Sequence, residues 1–174
     1  PRIKLILRKN NGHICKASND ALRLATGEYI ALLDHDDILA DNALYWVARE
    51  LQKKPQANII YSDEDKINDD GIRSCPHFKP AFNIDLLLSY NFISHLGVYR
   101  RDILKQIGGF RVGYEGSQDH DLALRTALES SPDQIIHIPR VLYHWRAHSE
   151  STASNPDSKD YTTESGHRAV QDFL

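Results

Sequence analysis

Three carboxylates fall within four residues at Asp34-His35-Asp36-Asp37, directly after the apolar run Tyr29-Ile30-Ala31-Leu32-Leu33. Carboxylates that close together repel one another, so a strand ending in them gains from a compensating cation. The alternate residues Asp34 and Asp36 can reach the same side of an extended loop. Hard oxygen donors with few soft ligands nearby suit Mg²⁺ or Mn²⁺, which keep part of their water shell and also bind phosphates. The bland alternative is a solvated acidic loop in which Asp37 or Asp41 only caps the next helix. Spacing alone supports the two readings about equally. A second acidic run, Asp63-Glu64-Asp65, reads by itself as an exposed turn, and Asp119 and Asp121 as aspartates of a first helical turn. His35 reads as a loop side chain; His13, His77, His95, His120, His137 and His167 show no ligand spacing.

The elements that must position these groups follow from the periodicity. Residues 3–7 form a short apolar run before Asn10-Asn11-Gly12, a buried strand and a turn. Ala17, Ala21, Leu22, Leu24 and Ala25 predict a helix over 16–25 that stops before Gly27. Residues 29–33 predict a second buried strand. Asp41 then caps a helix carrying Leu44, Val47, Ala48 and Leu51 at i, i+3, i+4 and i+7, and residues 58–61 predict a third strand. Strand and helix in alternation predict an α/β domain with a parallel sheet, whose ligands bind where the carboxyl ends of the strands open into loops.

The second half is less regular. Residues 62–73 read as an acidic, turn-rich stretch with a hairpin tip at Asp69-Asp70-Gly71. Strand candidates are 96–99, 135–138 and 141–145, the last two split by Pro139. Helix candidates are 101–107, stopped by Gly108-Gly109, and 119–129. Residues 149–165 are rich in Ser and Thr and read as a loosely packed segment before a short terminal helix over 164–174. The division is therefore 1–148 for the folded domain and 149–174 for the tail.

Composition narrows the class. The chain has 174 residues, 21 Lys+Arg against 24 Asp+Glu, and 41% hydrophobic residues. That supports one domain burying roughly 70% of its unfolded surface. The balanced charge argues against a nucleic-acid partner. Cys15 and Cys75 lie far apart without a CxxC, which favours a reducing compartment. Apolar runs of about five residues are too short to cross a bilayer, which takes about 20. A start at Pro1, directly before a strand-like segment, reads as a cut from something longer.

The residues also carry a resemblance. Asn11-Gly12, Ala17-Ser18-Asn19 and Ala25-Thr26-Gly27-Glu28 leading through residues 29–33 into Asp34-His35-Asp36-Asp37 resemble the central part of a family 2 glycosyltransferase of the GT-A, Rossmann-like fold. The match continues through Tyr61-Ser62-Asp63-Glu64-Asp65-Lys66, Gly108-Gly109-Phe110, residues 115–122 and Tyr143-His144-Trp145-Arg146. It is most similar to the rhamnosyltransferase and O-antigen branch, and it covers most of residues 3–150.

The resemblance implies a mixed, mostly parallel sheet flanked by helices, N-terminally truncated. It implies transfer of a sugar from a UDP- or dTDP-linked donor to a glycan or lipid-linked acceptor, by an inverting single displacement that depends on Mg²⁺ or Mn²⁺. Asp34 and Asp36 match the aspartates that hold the metal against the donor diphosphate, with Asp37 as a further contact. Asp119 matches the general base, its usual acidic neighbour replaced by Gln118; Asp121 is the runner-up. His144 matches a histidine that completes the metal shell, with Arg146 and His148 as weaker candidates, although a histidine between Tyr143 and Trp145 is also an ordinary packed strand residue. Gly97, Arg100 and Arg101 match a segment lining the donor pocket. Lys16 and Asn19 match the base- and phosphate-binding helix, where Ser18 stands in place of a frequent Arg. Asp63, Glu64 and Asp65 match the acceptor side. The family's opening strand, which grips the nucleobase, would lie upstream of Pro1. A sheet edge bared by its absence would invite pairing between chains, hence a homodimer. The branch implies surface-polysaccharide synthesis in the bacterial cytoplasm, at the inner face of the plasma membrane. Two rivals remain: a truncated fold serving as a binding or assembly module, and a metal-dependent phosphohydrolase built on the His and Asp residues.

Overall fold

The computed structural model describes residues 2–147 and 159–174. In chain order the elements are α1 (His13–Leu24), β1 (Tyr29–Ala31), β2 (Ile38–Leu39), α2 (Ala43–Lys53), β3 (Ile59–Ile67), β4 (Arg73–His77), α3 (Ile84–Ser89), β5 (Gly97–Arg100), α4 (Arg101–Gln106), α5 (Gln118–Leu128), a 3₁₀ turn (Pro132–Gln134), β6 (Ile135–Arg146) and α6 (Lys159–Phe173). The strands form one six-stranded sheet in the order β1-β5-β3-β6-β2, with β4 pairing on β3.

The sheet is mixed and flanked by helices, as expected, but it is not mostly parallel. Only β3 and β6 pair in parallel; β1–β5, β5–β3, β3–β4 and β6–β2 are antiparallel. Of the strands in the alternation, β1 and β3 do run the same way, though not as neighbours. What it could not show is that β5, far along the chain, inserts between β1 and β3 in the opposite sense.

Alternation along the central strands sorts side chains into two cores. Ile59 and Tyr61 of β3, with Tyr99 of β5, pack with Phe92, Leu104, Leu122 and Leu124 on one face. Ile60, Val98 and Leu142 pack on Ala43 and Val47 of α2 on the other. A strand buried on both faces reads as a continuous apolar run, which is why Ile59-Ile60-Tyr61 was legible.

Four local expectations are corrected. Residues 3–7 form no strand and are exposed, Ile3 and Leu7 by 85% and 84%; their backbone pairs with none of the described strands. Asp63, Glu64 and Asp65 lie within β3 and are largely buried, not on an exposed turn. Pairing on both sides, with β6 and β4, carries the strand through these polar residues. The hairpin tip at Gly71 follows only after Ile67, with Gly71 at φ +77°. Pro139 does not split β6: the parallel register shifts around it, Ser62 facing Ile138 and Asp63 facing Val141, and the strand resumes. Finally, α2 starts after Asn42 rather than at an Asp41 cap. The expected loose segment 149–165 falls largely outside the described residues, as does His148, while α6 begins earlier than the expected terminal helix, at Lys159.

Candidate functional site

Beyond β1 the chain turns back on itself, and the Asp37 N–H donates to the Asp34 carbonyl at 3.3 Å. A turn of that kind sets residues i and i+3 side by side, where an extended loop would align i and i+2. Asp34 and Asp37 therefore come together, and His95, just before β5, joins them: ligand atoms of these three residues all lie within 4.8 Å of one another. Desolvation by the cleft walls is the main cause raising the Asp34 carboxyl above the ordinary carboxylate value. Asp37, Asp119 and Asp36 push it in the same direction, against an opposing contribution from His95.

Every member of this group is held from elsewhere. Tyr143, on β6, donates its hydroxyl hydrogen to Asp37 Oδ2, and its hydroxyl oxygen accepts the Asp34 N–H at 3.3 Å. The Arg146 N–H donates to Asp37 Oδ1 at 2.7 Å and the Arg146 Nε to the Asp36 carbonyl at 2.7 Å. The ring of His95 stacks on Tyr143, centroids 4.7 Å apart and planes 16° from parallel. Its peptide is gripped on both sides, the N–H by the Glu64 carboxylate and the carbonyl by Lys79 Nζ. Two carboxylates and an imidazole converging in this way are a donor set that fits Mn²⁺ or Mg²⁺, the nitrogen being better tolerated by Mn²⁺.

Asp34 and His95 line a cleft of about 910 Å³, together with Ser18, Gln118, Asp119 and Trp145. Asp119 sits in the first turn of α5, half-buried, and Asn91 Nδ2 donates to its Oδ2 at 2.9 Å. Two positions on, and thus about 200° around the helix, Asp121 is buried between Arg111 and Arg125. The helix separates the two aspartates by function: one faces the cleft and the other is locked into ion pairs.

The remaining expected residues are placed elsewhere. The Asp36 carboxylate is 3.7 Å from the His35 ring and outside the converging group. His144 pairs through Nδ1 with Asp65 Oδ1 at 2.6 Å inside the sheet. Asp65 also takes Arg73 Nε at 2.6 Å, and Asp63 takes the Lys79 N–H at 2.9 Å with His137 Nε2 2.7 Å away. Of that acidic run only Glu64 reaches toward the cleft, through His95. Asn19 spends its amide on both backbone groups of Phe110, 2.7 and 2.9 Å away. Arg100 lies over the Tyr29 ring and binds Glu28 and the Ala57 carbonyl, away from the cleft. Arg101 donates to the Ala25 carbonyl at 3.4 Å. Gly97 is packed against Tyr99, whose ring leaves 3.0 Å for a β-carbon. Lys16 is exposed and does not line the cleft. The residues that spacing missed are His95, Tyr143, Asn91, and the cleft-lining Arg2 and Lys4. No local signal marks His95 as a ligand; only the sheet order brings it to Asp34.

Comparison with known proteins bears on the family and the fold. The family model described as "Glycosyl transferase family 2" matches residues 1–108. Over 173 residues the chain is 36% identical to the O-antigen biosynthesis protein RfbC of Myxococcus xanthus, a stretch that is 99% of this chain and 13% of RfbC. S. aureus TarS, solved in complex with UDP-GlcNAc, is similar with a TM-score of 0.64 at 19% identity, over 86% of this chain and 43% of that one. The mannosyltransferase PcManGT from Pyrobaculum calidifontis, in complex with GDP-Man and Mn²⁺, gives a TM-score of 0.62 at 16% identity, over 98% and 56%. These two structures share the GT-A fold with the chain. The chain spans about half of each solved relative and a small part of RfbC.

Proposed function

Because the chain belongs to glycosyltransferase family 2, we propose that its cleft transfers a sugar from a nucleotide-diphosphate sugar to a glycan or lipid-linked acceptor, with inversion at the sugar carbon. The observation that carries the reading is that Asp119 and the Asp34–Asp37–His95 group serve one cleft. Asn91 fixes the Asp119 carboxylate, which accepts the proton of the acceptor hydroxyl as its oxygen attacks the anomeric carbon and the bond to the diphosphate breaks. Asp34, Asp37 and His95 would hold a divalent cation, which would supply neutralisation of the charge on the departing diphosphate. Arg2 and Lys4 bring positive charge to the same cleft.

The donor class is supported by the solved neighbours, one with UDP-GlcNAc and one with GDP-Man. The resemblance favours UDP or dTDP here, and the likeness to RfbC favours surface-polysaccharide synthesis. Among the described residues no helix is long and apolar enough to cross a membrane; we place the reaction at the cytoplasmic face, the acceptor being brought by its lipid.

The test is thermal unfolding of this chain with Mn²⁺ and with UDP, dTDP or GDP, each alone and in pairs. Ligand at a hundredfold its Kd stabilises by about 2.7 kcal/mol, which raises the midpoint by roughly 5–10 °C at this size. The expected result is a rise that needs metal and one nucleotide together. Midpoints unmoved by every combination would remove the donor site from these residues.

A further inference from the structure

Tyr143 touches all three residues of the converging group. Its hydroxyl donates to Asp37 Oδ2 and accepts the Asp34 N–H, and its ring stacks on His95. The ring itself is fully buried, part of the core formed by α2, β3, β5 and β6. For that packing a phenylalanine would serve as well, because the core asks only for the ring. A buried phenol needs a partner for its hydroxyl, and both partners found here belong to the 34–37 turn, more than a hundred positions away along the chain.

We propose that Tyr143 is the positioning residue of the cation site: its hydroxyl sets the Asp34–Asp37 turn, and its ring sets the His95 plane, so that three donors from two distant segments converge. The proposal rests on reading the cleft as a cation-dependent donor site. The end of β6 completes the hold, since the Arg146 backbone N–H takes the other Asp37 oxygen and its Nε the Asp36 carbonyl. Glu64 and Lys79 fix the His95 peptide, through its N–H and its carbonyl. Among these supports Tyr143 alone couples the carboxylates to the imidazole. Groups that orient metal ligands from behind typically carry tenfold to a hundredfold in metal affinity.

The experiment is titration of the chain with Mn²⁺ alone, free ion being read by electron paramagnetic resonance, for the wild type, Tyr143→Phe and Arg146→Met. Tyr143→Phe keeps the ring and its stack, so the metal-free fold is retained, with a midpoint within a few degrees of wild type and an unchanged circular dichroism spectrum. Its Mn²⁺ affinity is expected to fall about tenfold. Arg146→Met, which keeps the backbone donor to Asp37 and loses only the grip on the Asp36 carbonyl, falls by less. A merely structural tyrosine would lower the metal-free midpoint and leave the affinity where it was; that result overturns the proposal. Wild-type affinity in both variants overturns it as well. A wild-type chain that binds no Mn²⁺ at all overturns the cation site, and this inference with it, so the two failures are told apart by the first titration.

Discussion

Along the seam where β3 and β6 run in parallel, Asp63 lies 2.7 Å from His137 and Asp65 lies 2.6 Å from His144. At the cleft, Asp34 and Asp37 converge with His95. Both regions are built from aspartate and histidine, and both are held by the same two strands. They differ in how the charges are met. In the seam each carboxylate has its own imidazole and a further donor, Arg73 for Asp65 and the Lys79 N–H for Asp63. The pairs are largely buried and close on themselves. In the cleft two carboxylates share one imidazole, Asp119 adds a third negative charge, and burial raises the Asp34 carboxyl. An acid–histidine contact is thus not in itself a site. A site is where the acids outnumber the imidazoles and cationic side chains that meet them and solvent can deliver the missing cation.

That contrast is broken most severely at Asp119. Asp119→Asn keeps the hydrogen-bonding shape beside Asn91 and removes the basic oxygen, so sugar transfer is expected to fall by ~10²–10⁴ while Mn²⁺-dependent nucleotide binding persists. Retained turnover would move the base elsewhere. The next effect sets one histidine against the other. His95→Ala is expected to abolish the metal-dependent rise in unfolding midpoint and cost little without metal. His144→Ala should do the reverse, leaving Asp65 short of a buried donor at a cost of about 1–3 kcal/mol, with Mn²⁺ affinity intact. If His144→Ala weakened the metal and His95→Ala did not, the two regions would have to exchange roles.

How much of this was legible depends on sequence distance. The helices α1, α2 and α5 and the strands β1 and β3 follow from spacings of one to four residues, and so does the acidic turn after β1. Asp34 could be named for that reason. An extended loop would favour Asp36 as the partner of Asp34; one backbone bond from Asp37 to Asp34 brings Asp37 beside it instead. Nothing near His95 in sequence has ligand spacing, and it reaches Asp34 only because β5 inserts beside β1. The Asp63–Asp65 run looked like a turn because its polarity was read without its partners. His137, Lys79, Arg73 and His144, which let those acids enter a sheet, come from three separate stretches of chain. The residues whose placement depends on a partner far along the chain are the ones that spacing misassigned.

The smallest expected effect comes from the residue that joins the two regions. Lys79 is 5% exposed; its N–H serves Asp63 in the seam, while its ammonium serves Glu64 and the His95 carbonyl beside the cleft. Burial lowers it from 10.5 to about 8, against the opposing pull of Glu64 and Asp63. A folded value below the unfolded one means that the stability linked to this group is fully present above about pH 10 and is lost as the pH falls through 8. The stability of the wild type relative to Lys79→Met should therefore rise by about 1 kcal/mol between about pH 7 and 9, or roughly 3 °C in midpoint. The difference is the quantity to read. Tyr61, Tyr99 and Cys15, raised by burial, pull both proteins the other way as the pH climbs, and they cancel in the subtraction. A flat difference would show that the ammonium reaches water in the folded chain. The His95 peptide would then be held by Glu64 alone, and the seam and the cleft would be neighbours without a shared charge.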